Sequence, residues 1–333
     1  MPYIWLRKNM QIQELKNWEK IIRRLYESNY NIIITGSNAK LLSKEISTAL
    51  TGRVFEIELL PFSFKEFLKL KNIEFDSAAS ILKNKTKILK YLEEYLRYGG
   101  FYEVITSKYK EEVISQLMNA ILYRDLYYRY KIEGIAIKIL TLKLADMIGS
   151  PYNASNLRKK IKPFVNISLP TVLAYLDYLS SAYLVIHINN YIKSFQKREV
   201  ERKTYFSDTG FLTKLSVEYD LSKLIENNVF LELKRLKKDI YYYKTREGYE
   251  VDFLIKEGMG IKELMQVCYA NSYEEIPERE IRALLHAKEE LKLGDDVSLT
   301  VITWDYEDAR EVEWWRKRGK IRFVPLWKWL LQV

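Results

Sequence analysis

Trp18-Glu19-Lys20-Ile21-Ile22-Arg23-Arg24-Leu25, followed by Asn31-Ile32-Ile33-Ile34-Thr35-Gly36-Ser37-Asn38, decides how the chain is read. Trp18, Ile21, Ile22 and Leu25 recur at helical spacing through Glu27, whereas Asn31–Thr35 is a short apolar run bounded by turn residues, the pattern of a buried strand. A second helix is predicted over Ala39–Leu50, and Val54-Phe55-Glu56-Ile57-Glu58-Leu59 alternates like a strand before Pro61. Helix and strand in alternation predict the second half of a parallel α/β sheet, with the first half lacking.

Outward from that stretch the pattern changes. Residues Ser63 to Glu133 are helical almost throughout, broken by Gly99-Gly100, and read as a helical lid or linker. Residues Thr141 to Asp208 give three short amphipathic helices and then two strand-like runs, Leu184–Asn189 and Arg202–Phe206, which is the winged-helix order. From Asn228 a helix leads into strands Ile240–Lys244, Glu250–Ile255 and Glu263–Tyr269, a helix Glu278–Leu291, and strands Ser298–Trp304 and Ile321–Pro325. The fold class is therefore multidomain α/β, divided at 1–60, 61–134, 135–215 and 216–333.

With 333 residues the chain exceeds what one core usually organises. Only 12 Gly and 7 Pro, against 48% hydrophobic residues, exclude a disordered or linker-rich chain. The 54 Lys and Arg outweigh 44 Asp and Glu, and a net charge of +10 favours an anionic partner, nucleic acid before membrane. Cys268 stands alone, which excludes an internal disulfide and a cysteine zinc site. No run approaches about 18 apolar residues and the N-terminus lacks a signal-peptide layout, so the expectation is a cytoplasmic protein without a membrane partner. The oligomeric state stays open.

Three elements in order, Ile32-Ile33-Ile34-Thr35-Gly36-Ser37-Asn38-Ala39, Leu50-Thr51-Gly52-Arg53 and Leu60-Pro61-Phe62-Ser63-Phe64-Lys65-Glu66-Phe67, resemble the archaeal AAA+ ATPases that carry a C-terminal domain of unknown function. The likeness continues through Tyr98-Gly99-Gly100-Phe101, Leu144-Ala145, Phe206-Ser207-Asp208-Thr209-Gly210 and Glu250-Val251-Asp252-Phe253. It implies a partial AAA+ core, a helical lid, a winged helix and a C-terminal restriction-endonuclease-like domain. It also implies a nucleotide-sensing role for Ser37 and Asn38 at the strand end, and for Arg53, whose guanidinium would approach the phosphates. Intact members use ATP and Mg2+. This sequence has no Gly-x-x-x-x-Gly-Lys-Ser/Thr loop, and Met10 and Gln11 stand where the family's Asp-Glu pair belongs, so no cofactor is expected here and no ATP hydrolysis.

Ser168 is a candidate helix cap with Pro170 in the first turn; Val172, Leu173, Leu176 and Leu179 make the packed face, leaving Thr171, Tyr175 and Tyr178 as candidates for the outward one. Lys193, Lys197, Arg198, Arg202 and Lys203 concentrate in the hairpin and are the candidate DNA contacts, with a solvated hairpin tip as the even alternative. The last segment resembles the PD-(D/E)xK nuclease fold, which implies catalytic positions at Glu232, Asp252 and Gln266, and a Mg2+ or Mn2+ ion at Asp252 and Gln266. Gln266 and Cys268 replace the acid and lysine of that pattern, and Glu263 points to the other strand face. His187 and His286 are read as structural, and Trp314, Trp315, Trp327 and Trp329 as packing that could alternatively stack on bases. The leading expectation is a DNA-associated relative without ATP hydrolysis. Its alternatives are a piece of an intact ATPase whose phosphate loop lies outside this reading frame, and a divalent-metal nuclease.

Overall fold

The computed structural model describes residues 3–5, 18–34, 55, 57–127, 130, 132–192 and 201–332. Strand β1 (Tyr3–Trp5), helix α1 (Trp18–Glu27) and strand β2 (Asn31–Ile33) form a βαβ unit in which β1 and β2 are parallel, with Ile4 opposite Ile32. Trp18 and Ile22 are the buried side of α1, as their spacing predicts. The strand before α1 was not foreseen, because three residues are too few for a period to register. The expected helix over Ala39–Leu50 lies outside the described residues. The expected strand over Val54–Leu59 is not formed by Phe55 or by residues 57–59, and Phe55 and Leu59 are 85% and 88% exposed. Alternation alone makes a two-faced ribbon; it becomes a strand only where a neighbouring edge accepts its backbone hydrogen bonds.

Helices α2 (Phe64–Leu70), α3 (Ala78–Tyr98), α4 (Tyr102–Thr106) and α5 (Lys110–Asn119), the last continued by a π-helical stretch Ala120–Tyr127, pack around Phe64, Phe67, Leu92, Tyr95 and Leu96. Ser63 starts α2 with a reciprocal cap, its Oγ accepting from Glu66 N–H while Glu66 Oε2 accepts from Ser63 N–H. The glycine pair ends α3 for a geometric reason. Gly99 has φ +79°, and a Cβ there would lie 1.7 Å from Asp208 Oδ1; one on Gly100 would lie 2.3 Å from the Phe62 carbonyl. Asp208 accepts hydrogen bonds from Gly100 N (2.7 Å) and Gly210 N (2.8 Å), while Phe62 N donates to Gly100 O. Three short motifs far apart in sequence thus meet around the Gly99-Gly100 pair, with the buried Asp208 carboxylate joining two of them.

Helices α6 (Gly134–Asp146), α7 (Ala154–Ile161) and α8 (Leu169–Ser181) lead into the antiparallel hairpin of β3 (Val185–Asn189) and β4 (Arg202–Phe206). Tyr152, between α6 and α7, exchanges both backbone hydrogen bonds with Arg202 and so adds a one-residue strand to the hairpin. Val172, Leu176 and Leu179 are buried on α8, but Tyr175 is buried with them and Leu173 is exposed. The expected faces exchange these two residues: positions 172, 175, 176 and 179 share one arc of the helix, and the Tyr175 hydroxyl accepts from Glu133 N–H.

Helices α9 (Thr209–Leu215) and α10 (Leu221–Arg235) precede a six-stranded mixed sheet in the order β5-β6-β7-β8-β10-β9. Its strands are β5 (Asp239–Lys244), β6 (Glu250–Glu257), β7 (Gly260–Val267), β8 (Ser298–Thr303), β9 (Asp308–Trp314) and β10 (Lys317–Pro325). Helix α11 (Glu278–Glu290) follows β7, and α12 (Leu326–Leu331) ends the fold. Strands β7, β8 and β10 run parallel and the other pairs antiparallel. One apolar core runs from Phe64 through Leu140 and Leu176 to Phe230 and Phe253; a second, beneath α11, holds Val251, Leu254, Leu284 and Val301. No helix of the described residues is long and apolar enough to cross a membrane.

Candidate functional site

Strand β4 carries a lysine inward. Lys203 is 0% exposed, and its ammonium passes over the Tyr242 ring to Glu250 Oε1 (2.7 Å), Asp252 Oδ1 (3.2 Å) and Glu226 Oε1 (3.5 Å). Burial alone would push the ammonium pKa down, but Asp252, Glu226 and Glu250 together hold it above the ordinary lysine value. Glu226 is itself raised, by burial first and then by the charge of Asp252. Its Oε1 also accepts from the Tyr205 hydroxyl at 2.7 Å. Gly149, at φ +72°, leaves room for this carboxylate, since a Cβ there would lie 2.3 Å from Glu226 Oε2.

Asp252 and Gln266 meet, as expected for adjacent strands. Gln266 Oε1 accepts from Asp252 N–H at 2.6 Å, and Gln266 Nε2 donates to Glu250 O (3.0 Å) and Glu280 Oε2 (2.6 Å). The second Asp252 oxygen accepts from Val267 N–H at 3.0 Å. Glu280 is raised by burial and by Asp252, and Arg279 pairs with its other oxygen at 2.8 Å.

Glu232 does not join them. Its Oε2 pairs with Arg235 Nε at 3.1 Å. Six residues on one helix turn through about 600°, so Glu226 and Glu232 point to well-separated sides of α10. Glu226 is the helix acid at this cluster, and sequence reasoning missed it because nothing in the pattern around it marks a buried carboxylate. Glu263 hydrogen-bonds Thr300 on the other face. Burial pushes the Cys268 thiol up to about 12.

The cluster does not fit a divalent ion. Lys203 occupies the point toward which Glu226, Glu250 and Asp252 converge; both Asp252 oxygens and the Gln266 amide oxygen already accept hydrogen bonds. Among the described residues no group of His, Cys, Asp and Glu could hold a metal. The arrangement can bind hairpin to sheet; it offers no open coordination position.

Lys203 was expected among exposed hairpin cations and lies instead in the core, because alternate β4 side chains face the sheet. Arg202 pairs through its backbone with Tyr152. Lys193, Lys197 and Arg198 lie outside the described residues, as do Ser37, Asn38 and Arg53. A basic surface that the sequence reading did not single out sits nearby. From Met147 through Leu176 the chain has Arg158, Lys159, Lys160 and Lys162 and no Asp or Glu. Lys159, Lys160 and Lys162 are exposed at the end of α7, beside exposed Phe164, whereas Arg158 is tied to the Ile167 carbonyl.

An AAA domain model matches residues 11–68, and a model described as Domain of unknown function (DUF8612) matches residues 89–222. An uncharacterised protein of Methanocaldococcus jannaschii is 39% identical over 330 residues, covering 96% of this chain and 73% of that protein. An uncharacterised protein of Haemophilus influenzae is 31% identical over 334 residues, covering 97% of this chain and 76% of its own length. The chain belongs to the family of these archaeal and bacterial proteins, and its N-terminal region relates it to the AAA-like ATPases.

Proposed function

We propose that this chain is a DNA-associated protein of the AAA-like family that does not itself hydrolyse ATP, and that it holds duplex DNA through the unit of α6, α7, α8 and the β3–β4 hairpin. Three helices, a one-residue strand at Tyr152 and a closing hairpin follow the order of a winged helix. The observation that carries the reading is the acid-free stretch from Met147 to Leu176 with Lys159, Lys160 and Lys162 exposed on it. Cations without neighbouring carboxylates are available to phosphates, and contacts of this kind position a duplex without reading its sequence. The exposed side of α8 offers Leu173 and Asp177 and no Lys or Arg, so little base readout is expected.

The remaining parts have other roles in this reading. The 333 residues hold no phosphate-binding loop, so ATP has no cradle. The Lys203 cluster is a structural junction, and DNA cleavage at Asp252 is not part of the function. The test is a salt titration of duplex binding by fluorescence anisotropy. Replacing Lys159, Lys160 and Lys162 by Ala should weaken binding and reduce the slope of log affinity against log salt by about 0.9 for each phosphate that the variant no longer neutralises. An unchanged slope overturns this surface as the DNA contact.

A further inference from the structure

Strands β9 and β10 are joined by a two-residue turn, Trp315-Arg316, flanked by the pair Trp314 and Lys317. Both turn residues have a left-handed backbone, φ 46° and 65°. Such turns are ordinarily made by Asn-Gly, because a side chain in this region is strained. Here the strained positions carry a tryptophan that is 82% exposed and an exposed arginine. Neighbouring Trp314 behaves differently: it is half-buried under the Arg282 guanidinium, 3.8 Å from its ring centre. Folding therefore explains Trp314 and leaves Trp315 without a packing role, and an observed backbone outlier of this kind points towards function.

The surroundings indicate the partner. Below the tip, Arg318, Lys320 and Arg322 take the exposed alternate positions of β10, while Gly319, Ile321 and Phe323 face inward. Alternate strand residues repeat at about 7 Å, commensurate with backbone charges that recur every ~3.4 Å along a nucleic-acid strand. Glu313 and Glu311 stand opposite Arg318 and Lys320 in the register, but Arg322 faces Ala309; Arg316, Arg318, Lys320 and Arg322 make no salt bridge within 4 Å to a described residue, and only the longer-range charges of Arg318 and Arg322 reach Asp295 and Glu263. An exposed indole beside exposed guanidinium groups that no carboxylate holds in a close salt bridge is the chemistry that stacks on an unpaired base while holding its phosphates.

We propose that the Trp315–Arg316 tip is a base-stacking contact for a nucleic-acid strand, with the cations of β10 holding the backbone. This rests on the DNA-associated reading and adds a second contact surface, specific for unpaired bases. Its test uses the full chain with two probes: a blunt duplex, and the same duplex bearing a single-stranded tail that contains 2-aminopurine. Trp315→Ala should weaken binding of the tailed probe about tenfold and abolish the fluorescence change of 2-aminopurine, leave the blunt duplex unaffected, and keep the melting temperature. Trp315→Phe should retain most of the effect. Equal binding of the tailed probe by wild type and Trp315→Ala, with duplex binding intact, overturns this inference alone. Failure of the wild type to bind either probe overturns both this inference and the reading beneath it. Trp315-dependent binding to phosphatidylglycerol vesicles, without an effect on the tailed probe, assigns the tip to a membrane surface and also overturns it.

Discussion

Replacing Lys203 by methionine keeps the length of the side chain and removes the ammonium that Glu226, Glu250 and Asp252 share. At 2.7–3.5 Å each contact is on the order of 5 kcal/mol at an effective dielectric of about 20, and desolvating the ammonium and three carboxylates offsets much of that gain. Breaking the cluster is the unfavourable event, because partly buried carboxylates are left crowded without their counter-ion, and the expected loss is about 3 kcal/mol. The pH dependence follows from Glu226. Its folded pKa is raised, so its ionisation opposes folding as pH rises through that value, and without Lys203 the opposition grows. Urea unfolding followed by tryptophan fluorescence should show a Lys203→Met deficit larger at pH 8 than at pH 5, with an unchanged m-value. Glu250→Gln in the Lys203→Met background should recover part of the loss. A deficit under about 1 kcal/mol, or one independent of pH, would refute the view that this lysine neutralises the cluster.

Asp208 is pushed up to about 7 by burial, against the hydrogen bonds from Gly100 and Gly210, so its contribution to stability is full below about pH 4 and is lost as pH rises towards 7; Asp208→Asn should flatten the melting temperature over that window. Gly99→Ala places a methyl against Asp208 and should cost more than about 3 kcal/mol, whereas Gly248→Ala, at φ +92° with nothing within 4 Å, should cost only the ~1 kcal/mol of backbone strain; equal losses in thermal melts would remove the steric argument. The buried Cys268 thiol, pushed up to about 12, should resist iodoacetamide at pH 8 in the folded protein and react once urea unfolds it, as mass spectrometry would read. Calorimetry should detect no binding of ATP at micromolar concentration, and a tight Mg2+-dependent signal would overturn that expectation.

Legibility followed periodicity. The strands β5 to β8, β10 and helix α11 lie within a few residues of their predicted places, because apolar alternation and helical spacing are strong there. Strand β9 was missed for the opposite reason: Asp308-Ala309-Arg310-Glu311-Val312-Glu313 is mostly charged, as suits an edge strand that must not recruit another chain. The site was less legible than the fold. Asp252 and Gln266 come together because they sit on paired strands, a relation that sequence carries. Lys203 could not be separated from the other hairpin cations by sequence, since residue type is the same inside and out until tertiary contacts supply three carboxylates.

The position of Lys203 bears on how DNA at the helices would be communicated to the rest of the molecule. The described hairpin is anchored near its Asn189–Arg202 end: Lys203 on β4, opposite Ile188, reaches Glu250 and Asp252 on β6, and beyond β3 the Tyr191 N–H donates to Tyr242 O on β5 at 2.8 Å. The same hairpin is joined to the helices through Tyr152 and Arg202. A load applied at α7 therefore reaches the sheet through the Tyr152–Arg202 backbone hydrogen bonds and the ion pairs of Lys203. On the proposed DNA-associated reading, duplex binding should protect β6 from hydrogen exchange, and Lys203→Met should leave duplex affinity within about twofold yet remove that protection if the junction couples the two. Protection of β6 that persists in Lys203→Met would show that the apolar core around Phe230 and Phe253 carries the coupling by itself.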